Sequence, residues 1–144
     1  MIIDDLQLTG ALQISLNNEI VHQCDNLVVT AGKNWVAGRF KDGSIPDEMS
    51  HMAIGSADTA PAAGNTALAT ELNRIALTTD GGTVSTNTVQ YDASGTSAAA
   101  AYAIKEAGIF NAATGGTMLA RTTFAVINKG TDDTVSISWT ITVS

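Results

Sequence analysis

Cysteine, aromatic residues and positive charge are all scarce in this sequence. Cys24 is the single cysteine, so no disulfide closes within the chain, and a lone thiol fits assembly in a reducing cytoplasm. Aromatic residues make up 5% of the chain and charged residues 15%, against about a quarter charged in an ordinary soluble domain. The surface must therefore be unusually neutral. Seven Lys and Arg face fourteen Asp and Glu, for a net charge of −7. A nucleic-acid binder needs clustered cations to displace counterions. Scattered, outnumbered basic residues exclude DNA, RNA and anionic membrane as expected partners. No apolar run approaches the roughly 18 residues of a membrane span. The opening MIIDDLQLTG puts acids where a secretion signal needs bases.

What is abundant is small. Ala, Thr, Ser and Gly fill the places that charges leave, and 44% of the chain is hydrophobic. Thr favours strands, while Gly and Ser favour turns. Composition alone thus predicts one all-β domain spanning 1–144, long enough to bury a core.

Alternation supports this. Leu6, Leu8, Leu12, Ile14 and Leu16 share one parity with polar residues between them, which predicts a half-buried strand with a possible bulge at Gly10. Asn17-Asn18 suits a hairpin turn, with a return strand from about Glu19 to Cys24. Thr30 to Lys41 is the one helix expected, with Thr30 as cap and Trp35, Val36 and Phe40 on one side, ended by Asp42-Gly43 and Pro46. Met52–Ile54, Ile75–Thr79, Thr83–Asp92, Ala103–Phe110 and Met118–Ile127 read as further strands, and Ala67–Leu72 as a possible short helix. The clearest pattern closes the chain. Val135, Ile137, Trp139, Ile141 and Val143 alternate with Ser and Thr. Ile137, Trp139, Ile141 and Val143 are therefore expected in the core, with hydroxyls on the other face. The sum is an antiparallel β-sandwich, jelly-roll-like, with one short α-helix.

Chemistry is harder to find. GSADTAPAAGN opens like a phosphate-binding loop, but it has neither the lysine of a P-loop nor the Gly-x-Gly-x-x-Gly spacing. His22 and Cys24 share a strand face, yet zinc needs about four ligands, and His51 is the only other histidine. Asp4-Asp5 and Asp132-Asp133 lack the rhythm of a calcium loop, and Gly-x-Ser-x-Gly is absent. No metal, cofactor or catalytic group is expected, and the chain is read as a non-enzyme. One polar constellation stands out. Alternation puts Glu106 on the face of Tyr102 and Ile104. If that face is inner, the carboxylate needs a cation, for which Arg74 and Arg121 are the candidates. The expected role is a structural polar cluster that fixes strand register.

NLVVTAGKNWVA (26–37), MAIGS (52–56), TAL (66–68) with ELNR (71–74), and IKEAGIF (104–110) occur in one order. Together they resemble small virion proteins of tailed bacteriophages, and the amino-terminal module of phage tail-collar and tail-fibre proteins. The resemblance is weakest before residue 20 and across 80–101. It implies a virion structural protein, assembled in the host cytoplasm, that works through protein–protein contacts. Implied partners are other copies of itself, with a trimer favoured, and major capsid or tail proteins. The sequence shows no collagen-like or β-helical shaft and no receptor-binding tip, so cementing a shell, joining tail parts or anchoring another protein is expected rather than host recognition. The stretch 49–74 becomes, on this reading, a strand, an exposed Ala/Pro loop and a return into the sheet. The alternative is a carbohydrate-binding β-sandwich, which usually displays Trp or Tyr platforms; Trp35, Trp139, Tyr91 and Tyr102 are the available rings.

Overall fold

A computed structural model describes residues 1–41, 43, 45–95 and 100–144. Asp42, Ser44 and residues 96–99 of the small-residue run 94–101 lie outside the described residues. The strands are β1 (Leu8–Leu16), β2 (Glu19–Asp25), β3 (Leu27–Val28), β4 (His51–Gly55), β5 (Glu71–Ala76), β6 (Thr83–Ser85), β7 (Thr88–Ser94), β8 (Tyr102–Phe110), β9 (Met118–Lys129) and β10 (Val135–Val143). The helix α1 (Thr30–Arg39) sits between β3 and β4. Two five-stranded sheets result, ordered β2-β1-β10-β7-β6 and β3-β9-β8-β4-β5, and their pairings are antiparallel.

The two sheets bury one apolar core between them. Leu12, Ile14, Tyr91, Ile137, Trp139 and Ile141 of the first meet Met52, Ile54, Ile104, Ile109 and Leu119 of the second. The β10 alternation therefore does face inward as its pattern dictates, with one exception. Val143, the last residue of β10, is 37% exposed and pairs with Leu8, the first residue of β1. The β10 hydroxyls line the outer face beside Thr88, Gln90 and Ser94 of β7.

Local chemistry explains most boundaries. Asn17 and Asn18 both adopt positive φ, the two-residue hairpin turn that Asn tolerates best. Gly10 is not a bulge. It pairs regularly with Ile141, and the β1–β2 irregularity falls between Ile14 and Ser15. A side chain at Gly10 would strike the Asn26 amide, whose Oδ1 accepts the Trp139 indole N–H at 2.7 Å. Leu6 precedes β1 and is exposed. The stretch 83–92 is a hairpin rather than one strand, since Thr86 at φ 51° turns the chain between β6 and β7.

The helix departs from expectation at both ends. Val29, not Thr30, occupies the N-cap, without a side-chain cap. Instead the Thr30 N–H donates to Ala63 O at 2.8 Å. Phe40 is the C-cap and is 82% exposed, so it does not join Trp35 and Val36 against the core. Gly32, unfavourable to a helix in isolation, is buried against the Leu119 backbone, where any side chain would collide. It lets α1 lie directly on β9.

Candidate functional site

The segments that carry the resemblance meet on the outer face of the second sheet. Arg74 on β5 is opposite Ala53 on β4, Ala53 is opposite Gly108 on β8, and Gly108 is opposite Arg121 on β9. Two arginines thus flank a floor of small residues. The chain between β4 and β5, residues 56–70, folds over that floor. Leu68 seals it, packing with Val29, Ala53, Phe110 and Met118 in a second small core. A side chain at Gly108 would stand 3.0 Å from Leu68 Cδ2.

Glu106 is the anchor of this loop. It is fully buried, as is the Arg121 beside it. Its Oε2 accepts from Arg121 Nε at 3.1 Å and from a terminal guanidinium nitrogen at 2.8 Å. The loop supplies the other donors: Ala69 N–H to Oε2 at 3.1 Å, Thr70 N–H to Oε1 at 2.8 Å and Ala57 N–H to Oε1 at 3.4 Å. Arg121 in turn donates to Asn65 Oδ1 and to Thr59 O, each at 3.0 Å. A buried ion pair is tolerable only when its remaining donors and lone pairs are satisfied, and here the loop backbone satisfies them. Gly55 completes the fit. A side chain there would strike Thr70 O and the Glu106 carboxylate.

The route by which Glu106 reaches this site differs from simple alternation. Ile104, Ala107 and Ile109 all belong to the inter-sheet core, so the inward phase changes between Ile104 and Ala107. The β8–β9 pairing is irregular between Ile104 and Glu106. This break puts Glu106 on the outer face, opposite to Ile104, as bulges do when they re-aim a side chain.

Arg74 is not part of the Glu106 cluster. Its guanidinium clasps Glu71 with two bonds of 2.8 Å, donates to Ala112 O at 2.7 Å and Gly115 O at 2.9 Å, and lies 3.9 Å above the Phe110 ring. It fastens the β8–β9 hairpin loop to β5. The Ala67–Leu72 helix is likewise absent, since Glu71 and Leu72 open a strand. The phosphate-loop look of 55–70 acquires a physical meaning. Backbone N–H groups do converge on an anion, and that anion is the protein's own Glu106.

The other candidates stay apart. The His22 ring packs 5.3 Å from Phe124, the Cys24 sulfur is 3.7 Å from Thr122 Oγ1, and His51 Nδ1 contacts Ser50 Oγ at 2.8 Å. Burial raises the Cys24 thiol pKa. Among the described residues no group of three His, Cys, Asp or Glu could hold a metal. Asp133 accepts from Asn17 Nδ2 at 2.8 Å and from Gly130 N–H at 2.6 Å. These bonds, the Asn17 one foremost, hold its carboxyl below the usual range. Asn65, Gly55 and Glu71 escaped the sequence reading. The signal available for Gly55 and Glu71 was their place in the resemblance-bearing MAIGS and ELNR segments, and Asn65 stands just ahead of TAL.

A broad concavity lies elsewhere, on the outer face of the first sheet. It encloses about 650 Å³ and is lined by Gln13, Gln23, Asp25, Gln90, Ser138 and Thr140 among others. No aromatic ring lines it: Trp139 and Tyr91 are buried on the opposite side, and Trp35 donates its indole N–H to Asp47 O at 2.7 Å. Comparison with protein-family models, curated proteins and solved structures found no match.

Proposed function

We propose that this chain is a non-catalytic structural protein of a tailed-bacteriophage particle, acting through contacts with copies of itself and with capsid or tail proteins. It serves either as a capsid decoration or cement protein, or as a tail, collar or baseplate component. The observation that carries the reading is the convergence of MAIGS, TAL and IKEAGIF on one buried clamp, with ELNR fastening the loop beside it. Of their distinctive residues, Gly55, Leu68, Glu106 and Gly108 hold the loop 56–70 in shape, and Arg74 fastens the neighbouring loop 111–117. That loop presents Thr59, Ala60, Ala62, Ala63 and Gly64, all exposed. Small side chains lose little rotamer entropy on association, and a neutral surface avoids the cost of burying ions at an interface. A loop so fixed is pre-organised for a partner.

The carbohydrate-binding alternative draws less support, because the broad outer concavity offers amides and hydroxyls without a stacking ring. Purified tagged protein incubated with tailed-phage particles lacking their own copy tests the proposal. Stable incorporation is expected, weakened by bulky substitution at Ala62 or Ala63. Copy number on the scale of capsomers would indicate the shell, and one tail ring's worth would indicate the tail. Binding to a glycan array with no particle incorporation would overturn the proposal.

A further inference from the structure

The segment ahead of β1 is the least satisfied part of the molecule. Ile2 is 94% exposed, Ile3 is 78% exposed, and Leu6 lies open beside them. Among the described residues no hydrogen bond holds Met1–Leu6, whereas Gln7 already pairs with Ser144. The segment thus carries aliphatic side chains with the acids Asp4 and Asp5 between them, and nothing in its own domain covers them.

A groove of about 480 Å³ lies between the start of β1 and α1, lined by Leu6, Leu8, Lys33, Val36, Ala37 and Phe40. Its apolar floor includes Phe40, the most exposed aromatic side chain among the described residues. Its charge is opposite to that of the molecule. The chain carries −7 overall, but Lys33 lines this groove, Arg39 ends the helix beside it and Lys41 follows Phe40 in the chain. Arg39 is spent on Pro46 O and the Trp35 ring. No ion pair among the described residues reaches Lys33 or Lys41.

We propose that Met1–Asp5 of one copy seats in this groove of a second copy, with Ile2 and Ile3 on Val36 and Phe40, and Asp4 and Asp5 against Lys33 and Lys41. The groove's own Leu6 forms part of its wall while Ile2 and Ile3 of the same chain lie outside it, exposed, which leaves the groove open to a neighbour's segment. Apolar anchors give the contact its affinity, and opposite charges give it register. In an acidic protein this basic strip is where an acidic segment of a second copy is attracted rather than repelled.

Sedimentation velocity on the full chain tests this across a concentration series. The wild type should self-associate. Lys33→Glu with Lys41→Glu, and separately Asp4→Lys with Asp5→Lys, should each weaken association by roughly tenfold or more, as loss of close charge pairs does. The four substitutions together should restore it. Phe40→Ser should weaken it without unfolding, since Phe40 lies outside both cores; an unchanged urea-unfolding midpoint checks the fold in every variant. A monomeric wild type, an oligomer indifferent to either charge reversal, or failure of the combined variant to recover would each overturn the proposal. Particle incorporation is a separate readout: incorporation that persists without arm-dependent self-association would sink this inference and leave the structural role standing.

Discussion

Arg121 and Glu106 form a two-pronged ion pair, at 2.8 and 3.1 Å, that is sealed from water beneath the loop 56–70. Removing one member of such a pair leaves the other charged and buried without its counter-ion. Glu106→Leu and Arg121→Met should each cost about 3–5 kcal/mol in urea unfolding. The double variant should lose clearly less than the sum, because neither charge is then stranded. Strict additivity would show that the two side chains do not act as a unit. Hydrogen exchange gives a second readout, since the Ala69 and Thr70 amides lose their acceptor in Glu106→Leu and should exchange faster.

Gly55 and Gly64 make a matched test of the same loop. A methyl at Gly55 must displace the Thr70 carbonyl and the Glu106 carboxylate, whereas nothing lies within 4 Å of one at Gly64. Gly55→Ala should lower stability by about 1–3 kcal/mol, the usual cost of overpacking. Gly64→Ala should be neutral or stabilise by up to about 1 kcal/mol through the unfolded state. Thermal or urea unfolding of the pair decides. Equal effects would mean that the fit around Gly55 is not tight.

These positions also show what the sequence makes legible. The burial of Ile137, Trp139 and Ile141 follows from period-2 alternation, which is a local property of one strand. That Glu106, once buried, needs a cationic partner follows from its charge. Its partner does not, because choosing Arg121 over Arg74 depends on which strand lies beside β8, a long-range relation. The face it occupies depends on a phase break between Ile104 and Ala107 that no residue type announces. The loop donors at Ala57, Ala69 and Thr70 are backbone groups, and backbone carries no sequence signature. Val143 has the right parity but is the exposed last residue of β10, and alternation does not say how far along a strand burial extends.

Arg74 does four things at once, and lysine can replace few of them. Arg74→Lys keeps the charge but cannot hold Glu71 with two parallel bonds while also serving Ala112 O and Gly115 O. The planar contact over Phe110 is lost as well. We expect a loss of about 1–3 kcal/mol, in the range of charged hydrogen bonds. It should appear as faster hydrogen exchange confined to residues 111–117. An effect spread evenly over both sheets would contradict a local clasp.

Tyr91 makes stability fall at alkaline pH. Its ring is buried between the sheets, and desolvation of the phenolate, only partly offset by Arg39, pushes its pKa from 10.0 to about 12. The folded state therefore keeps the proton over a range in which the unfolded chain has already released it. Stability from this source is complete below the unfolded pKa and is lost as pH rises from about 10 through about 12. The full loss amounts to roughly 2–3 kcal/mol. Tyr91→Phe removes the ionisable hydroxyl and keeps the ring. Its unfolding free energy should stay flatter than the wild type's across that alkaline window, and should run parallel to it near neutrality. Curves that remain parallel up to pH 12 would mean that the Tyr91 hydroxyl ionises as readily in the folded protein as in the unfolded chain.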